Sequence, residues 1–120
     1  MANNDVTKKV PMELICMMIL RERDMYGYEM VKEIEQRSGG LLSFNLASVY
    51  TALRRLEEHG HVTARSELAE NLPARLRVYY HLEMPGAEPY MEKLRADYLR
   101  AVQGVQKLFE SCEVPYVSEA

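Results

Sequence analysis

The sequence predicts a mainly α fold with one small β-hairpin and a single long helix at its C-terminal end. Three observations carry this. Apolar residues recur at 3-4 spacing through three stretches before Gly60, the period turns β-like between His61 and Leu82, and a heptad-like pattern runs from Ala87 to Cys112.

The first helix is predicted from about Pro11 to Glu22. Proline suits a first helical turn, where its missing N–H costs nothing. Met12, Ile15, Cys16 and Ile19 form a buried stripe that Met18 and Leu20 widen. Asp24 is the expected N-cap of a second helix, with Met30, Val31 and Ile34 on one side. Gly27 near its start is costly in a helix, which implies that another backbone or a partner comes close there. Gly39-Gly40 supplies a left-handed end.

Asn45 is the expected N-cap of the third helix. Leu46, Val49, Leu53 and Leu56 give its buried stripe, and Gly60 ends it. Its other face carries Ala47, Ser48, Thr51, Arg54, Arg55 and Glu58. Val62–Ser66 and Arg77–Leu82 read as two strands, with Glu67–Leu76, including Asn71 and Pro73, as the loop between them. Beyond Pro85-Gly86, Ala87, Met91, Leu94, Tyr98, Ala101, Val105, Leu108 and Cys112 repeat at 4-3 spacing, flanked by Val102 and Phe109. A helix this long leaves its apolar face wet unless it packs on something. Val114–Ala120 read as a loose tail.

Helix, helix, helix, hairpin, long helix is the order of a winged helix-turn-helix with an appended dimerisation helix. The expected units are residues 8–86 and 87–113. With 120 residues, 48% apolar and 28% charged, the chain is an ordinary folded protein of about that size. No apolar run approaches the roughly 20 residues that a membrane helix needs, and the N-terminus is not a secretory signal, so a cytoplasmic protein without membrane contact is expected. Cys16 and Cys112 read as small reduced core residues.

The net charge of −3 argues at first against a nucleic-acid partner, but clustering matters more than the sum. Between Ser43 and Leu82, Arg54, Arg55, Arg65, Arg75 and Arg77 face Glu57, Glu58, Glu67 and Glu70. Small side chains at Ala47, Ser48 and Thr51 would let the third helix sit deep in a major groove, with Arg54 and Arg55 reaching phosphates or a guanine edge. Arg75 and Arg77 lie two apart, so they share one side of a strand and could meet the backbone or a minor groove. Tyr50 sits at the edge of the buried stripe, where its hydroxyl could touch a phosphate, with core packing the competing role. No nucleophile elbow, Gly-rich phosphate loop or zinc-type spacing occurs. Glu57 and Glu58 point apart on their helix, and His59, His61 and His81 lack partners. No enzyme, metal or cofactor is therefore expected.

The stretches Met25–Met30, Ser48–Gly60 and Arg77–Leu82 resemble the PadR family of transcriptional regulators, with its Y-G-Y-E-like start to helix two, L-Y-x-x-L-x-R-L-E-x-x-G third helix and R-K-Y-Y-x-L second wing strand. The single closing helix is similar to the family's short subgroup. The resemblance implies a homodimer on a near-palindromic operator, usually a repressor, sometimes released by a small aromatic ligand. It implies operator contacts at Tyr26, Ser48, Tyr50, Thr51 and Arg54, and wing contacts at Arg75 and Arg77. With the spacing argument, this makes Tyr26, Asn45, Ala47, Ser48, Tyr50, Thr51, Arg54, Arg55, Arg75 and Arg77 the candidate DNA-binding residues. Met91, Leu94, Tyr98, Ala101, Val102, Val105, Leu108, Phe109 and Cys112 are the candidate dimer interface. Three departures stand out: Val78 replaces the family's frequent lysine, the wing loop lacks the family's usual glycine and basic cluster, and the chain has no tryptophan on which to stack a ligand. The competing reading is a winged helix that dimerises and binds protein, not DNA.

Overall fold

The computed structural model describes residues 10–69 and 72–112. Residues 8, 9, 70, 71 and 113–120, which include the ends of both expected units, Asn71 and the tail, lie outside them. The elements run α1 (Met12–Leu20), β1 (Met25–Tyr26), α2 (Gly27–Arg37), α3 (Leu46–Glu58), β2 (Val62–Ala69), β3 (Leu72–Leu82) and α4 (Glu88–Ser111). This is the mainly α winged helix-turn-helix with a long closing helix.

Helix α1 is short and central, in contact with α2, α3, α4 and β3. Surrounded in this way, it buries more than one stripe: Leu14, Cys16, Met17, Ile19 and Leu20 are all inside. Met17 is fully buried although the spacing passed over it. Met18, expected to widen the core stripe, is instead 54% exposed. It faces a groove between α1 and α4 shared with Leu14, Met91 and Arg95. The helix also ends at Leu20, two residues before the expected Glu22.

The turn after α1 departs most from expectation. Asp24 does not cap α2. Met25 and Tyr26 pair antiparallel with Tyr80 and Tyr79, so the sheet has three strands in the order β1-β3-β2. Tyr26 then starts α2 with an extended backbone and no side-chain cap. Asp24 is drawn to the sheet instead, where its carboxylate accepts from Arg65 Nη1 at 2.5 Å and meets His81 Nδ1 at 2.8 Å. Partial burial opposes its charge, but the His81 and Arg65 hydrogen bonds outweigh it and hold the carboxyl below the usual range. Helix α2 closes at Gly39 and Gly40, both with positive φ.

Asn45 does cap α3, its Oδ1 accepting from Ser48 N at 2.8 Å. Val49, Ala52, Leu53 and Leu56 form the buried stripe. Leu46, expected in it, is exposed, because the first turn of α3 projects past the core. Beyond α3 the hairpin is longer than predicted: Val62↔Leu82 continues through Leu68↔Leu76 to Ala69↔Leu72, with an irregularity at Leu68/Ala69. Most of the expected loop is therefore strand. Pro73 falls beside that irregularity, on an edge that β1 does not reach, where a missing N–H is tolerated.

Helix α4 has 24 residues and is about 36 Å long. Its start belongs to the core: Ala87 and Met91 are buried in their own chain, and Leu94 packs against that cluster. Met91, expected at a dimer interface, is therefore used internally. From Tyr98 onward the helix stands clear, stretching the molecule to 58 × 35 × 20 Å. Val102, Val105, Leu108 and Phe109 are between 41% and 61% exposed on this free arm. Cys112, expected in the core, is exposed at its end, whereas Cys16 is fully buried. No helix among the described residues is long and apolar enough to cross a membrane.

Candidate nucleic-acid interface

The predicted α3 residues separate into three groups once the helix is seated on its buried stripe. At 3.6 residues per turn, Ala47, Thr51, Arg54 and Glu58 fall within an arc of about 60° opposite that stripe. They point straight out. Thr51 Oγ1 donates back to the Ala47 carbonyl at 3.0 Å, so its hydroxyl proton is committed while its oxygen can still accept. Ser48 and Arg55 sit on the flank towards α1 and α4 and line a cleft there. Tyr50 sits on the opposite flank, towards α2 and the sheet. Asn45 is occupied as the cap.

Tyr50 accounts for Gly27. A Cβ on Gly27 would lie 2.7 Å from Tyr50 Cε1, 2.8 Å from Cζ and 2.9 Å from the hydroxyl oxygen. The expected close neighbour is thus an aromatic side chain, not a backbone. The tyrosine is wedged between the two helices of the helix-turn-helix, and Tyr80 packs against the same core. Burial raises the Tyr80 hydroxyl above its usual range, with Tyr50 and Glu57 adding to this and Arg54 opposing it.

Tyr26 and the wing arginines lie on the outer face of the sheet. The Arg77 guanidinium sits 4.3 Å over the Tyr26 ring, which meets Tyr79 edge-on at 5.4 Å. Arg75 is exposed and two residues along on the same strand side. Arg65, the third wing arginine, is paired with Asp24 and Glu67. The opposite wing face, from Val78 out to the cross-strand pair Leu68 and Leu76, is exposed and apolar.

Ion pairing sorts the cations. Arg21, Arg23, Arg37, Arg65 and Arg95 all lie within 4.0 Å of a carboxylate. Among the described residues, Arg54, Arg55, Arg75, Arg77 and Arg100 have no such partner. Four of those five are the arginines singled out from the sequence. Among the described residues no group of three His, Cys, Asp or Glu side chains could hold a metal.

Spacing gave no signal for one further cluster. Tyr90 on α4 donates to Glu13 of α1 at 2.6 Å, and His61 stacks on its ring at 4.5 Å, 9° from parallel. The Glu13 hydrogen bond, with burial and Glu13's charge adding to it, pushes the Tyr90 hydroxyl up to about 12. This joint ties the closing helix to the end of α3 and borders the cleft lined by Ser48 and Arg55.

Set beside known proteins, residues 16–92 match the sequence model of the Transcriptional regulator PadR-like family. No curated protein matches the chain. Among solved structures, a transcriptional regulator from Clostridium thermocellum is similar at 24% identity with a TM-score of 0.72, covering 89% of this chain and 97% of that one. A PadR family transcription regulator from hypervirulent Clostridium difficile is similar at 24% identity with a TM-score of 0.60, covering 82% and 96%. Bacillus subtilis PadR, solved in complex with operator DNA, is similar at 18% identity with a TM-score of 0.57, covering 68% of this chain but only 45% of that one.

Proposed function

Because this chain belongs to the PadR-like family of transcriptional regulators, we propose that it binds duplex DNA sequence-specifically as a homodimer and acts as a repressor. The family's members are regulators, not enzymes. The observation that carries the reading is the sorting of cations. The outward face of α3 keeps Arg54 free, with the small side chains of Ala47 and Thr51 on its N-terminal side and Glu58 one turn beyond it, while five other arginines are spent on carboxylates. A helix with that face fits a major groove about 12 Å wide, where Arg54 can reach a guanine edge or a phosphate. The operator complex of the Bacillus subtilis relative supports the same use of the fold.

The free half of α4 supports the dimer. Tyr98, Ala101, Val102, Val105, Leu108 and Phe109 line one side of a helix that has left its own core. A partner's α4 laid on that side removes the apolar stripe from water and aims two copies of α3 at one duplex, one helical turn (about 34 Å) apart. Release by a small aromatic ligand completes the proposed cycle.

In vitro selection from random duplexes tests this directly. The recovered sites should have two-fold symmetry, and affinity should fall steeply with salt. Enrichment of no sequence at any salt concentration refutes the reading in favour of a protein-binding winged helix.

A further inference from the structure

On the outer face of the sheet, one row runs straight across the three strands: Tyr26 of β1, Tyr79 of β3 and Arg65 of β2 are register partners. The next row towards the wing tip pairs Arg77 of β3 with Glu67 of β2. Arg77 therefore stands on the central strand between two neighbours, a carboxylate directly opposite on β2 and a tyrosine ring placed diagonally on β1. Opposite charges that face each other across a ladder attract and ordinarily pair. Here they do not. Arg77 leans the other way, 4.3 Å over the Tyr26 ring, and among the described residues no carboxylate lies within 4.0 Å of it.

Arg65 accounts for this. Its Nε donates to Glu67 at 2.6 Å and its Nη1 donates to Asp24 at 2.5 Å, so two carboxylates fix the guanidinium. The Tyr79 ring lies beneath it at 5.4 Å. Glu67 is thus drawn back along its own strand, away from the residue it faces. We propose that Arg65 is a positioning residue of the wing: by holding Glu67 it keeps Arg77 unneutralised on Tyr26, in place to meet a DNA phosphate. The use of Arg77 on DNA rests on the function proposed above, whereas the arrangement of the free protein does not.

Two arginines of equal charge then have different tasks. A guanidinium held over a ring commits no N–H donor to a carboxylate, so the donors of Arg77 stay available to an anion. Arg65 commits its donors to Asp24 and Glu67. Without Arg65, the cation that faces Glu67 across the ladder is Arg77. An Arg77 neutralised by Glu67 no longer replaces a counterion on DNA. Methionine is the substitute of choice at Arg65, because it removes the charge and keeps an apolar stem over Tyr79.

The full chain carries the test, with Arg65→Met, Glu67→Gln and Arg77→Ala made alone and in pairs. In the free protein, the Tyr26 ring should move the side-chain proton resonances of Arg77 upfield. Arg65→Met should remove that shift, and adding Glu67→Gln should restore it. On a selected duplex, Arg65→Met should weaken binding about fivefold at physiological salt and lower the log–log salt slope by about 1. In an Arg77→Ala background the same substitution should change affinity by less than about twofold. An Arg77 resonance indifferent to Arg65→Met overturns the hold on Glu67. An equal loss of affinity with and without Arg77 overturns the positioning role and makes Arg65 a direct contact. The expected resonance shifts in a chain that binds no duplex would refute the DNA reading and leave the arrangement standing.

Discussion

Adding one methyl group at Gly27 separates a packing requirement from a backbone requirement. Gly27 does not have a positive φ, so alanine suits its conformation, and in the unfolded chain alanine is favoured by about 0.4–1 kcal/mol. Against this, the new Cβ would meet Tyr50 carbons at 2.7 and 2.8 Å, where apolar contacts settle near 3.5–4.0 Å. The contact is with the far end of the half-buried Tyr50 ring, so the ring must swing from its place against the core, because the first turn of α2 is held by the β1–β3 pairing. Overpacking of this kind costs about 1–3 kcal/mol. Gly27→Ala should therefore destabilise the fold by about 1–2 kcal/mol net, or roughly 4–8 °C in Tm for a chain of this size. The assay is urea unfolding followed by far-UV circular dichroism, repeated in a Tyr50→Ala background. There the clash is gone and Gly27→Ala should become neutral or stabilising, a coupling of at least about 1 kcal/mol. An equal cost in both backgrounds, or a stabilised single variant, refutes the wedge.

Four further outcomes are expected. Arg54→Ala should weaken binding to a selected duplex and reduce its log–log salt slope by about 1, the loss of one phosphate-range cation; an unchanged slope excludes that contact. Val105→Asp, on the exposed arm of α4, should give a monomer by light scattering with the helical content of the parent, and a persistent dimer would move the interface elsewhere. The Asp24 carboxyl is held below its usual range by His81 and Arg65, against the opposing effect of partial burial. Its contribution is therefore complete above the unfolded value near pH 4 and is lost as pH falls through the folded value. Asp24→Asn should accordingly lower stability at neutral pH and flatten the acid limb of the stability profile. Cys16 is fully buried, and that burial, with the Glu13 charge, pushes its thiol up to about 12; it should resist thiol reagents at neutral pH until the protein unfolds.

Most of the fold was legible where a residue's local role and its tertiary role coincide. Asn45 is a good cap wherever it occurs, and it caps α3. Gly39, Gly40 and Gly60 are all left-handed, at the ends the sequence gives them. Reading failed where a distant partner competed for the same group. Asp24 has the chemistry of an N-cap, but Arg65 and His81, far along the chain, offer it stronger partners and free Tyr26 to pair with Tyr79. Glu67–Leu76 carries loop-type residues, yet the ladder persists because Leu68–Leu76 and Glu67–Arg77 oppose one another across it. Met18 and Cys112 are apolar at helical spacing, and spacing alone does not tell a core from a surface that a partner could cover. On the candidate site, the outward placement of Ala47, Thr51 and Arg54 was readable from a helical wheel. Core packing was one of the two roles that Tyr50's place at the edge of the stripe offered, but its contact with Gly27, the coverage of Tyr26 by Arg77, and the Glu13–Tyr90–His61 joint were not readable, since each depends on contacts between elements.

The net charge of −3 no longer weighs against a DNA partner once pairing is counted. Glu22, Glu29 and Glu33 are tied to Arg23 and Arg37, and Asp24 and Glu67 to Arg65, so five carboxylates near the reading domain are held, and partly neutralised, by three arginines. Such exposed pairs add little to stability, but they determine which arginines remain available. A charge sum acts at long range, where salt screens it within about 8 Å at physiological ionic strength. Contact with a phosphate or a base edge is made at hydrogen-bond distance, where only unpaired groups count. On this argument an acidic protein can read DNA by keeping Arg54 unneutralised on the outward face of α3, with Arg75 and Arg77 unneutralised on the wing. The consequence is testable without altering α3: Asp24→Ala, which releases Arg65 from one partner on the wing, should raise non-specific DNA affinity and steepen its salt dependence. A decrease in both would show that local pairing does not govern the surface available to DNA.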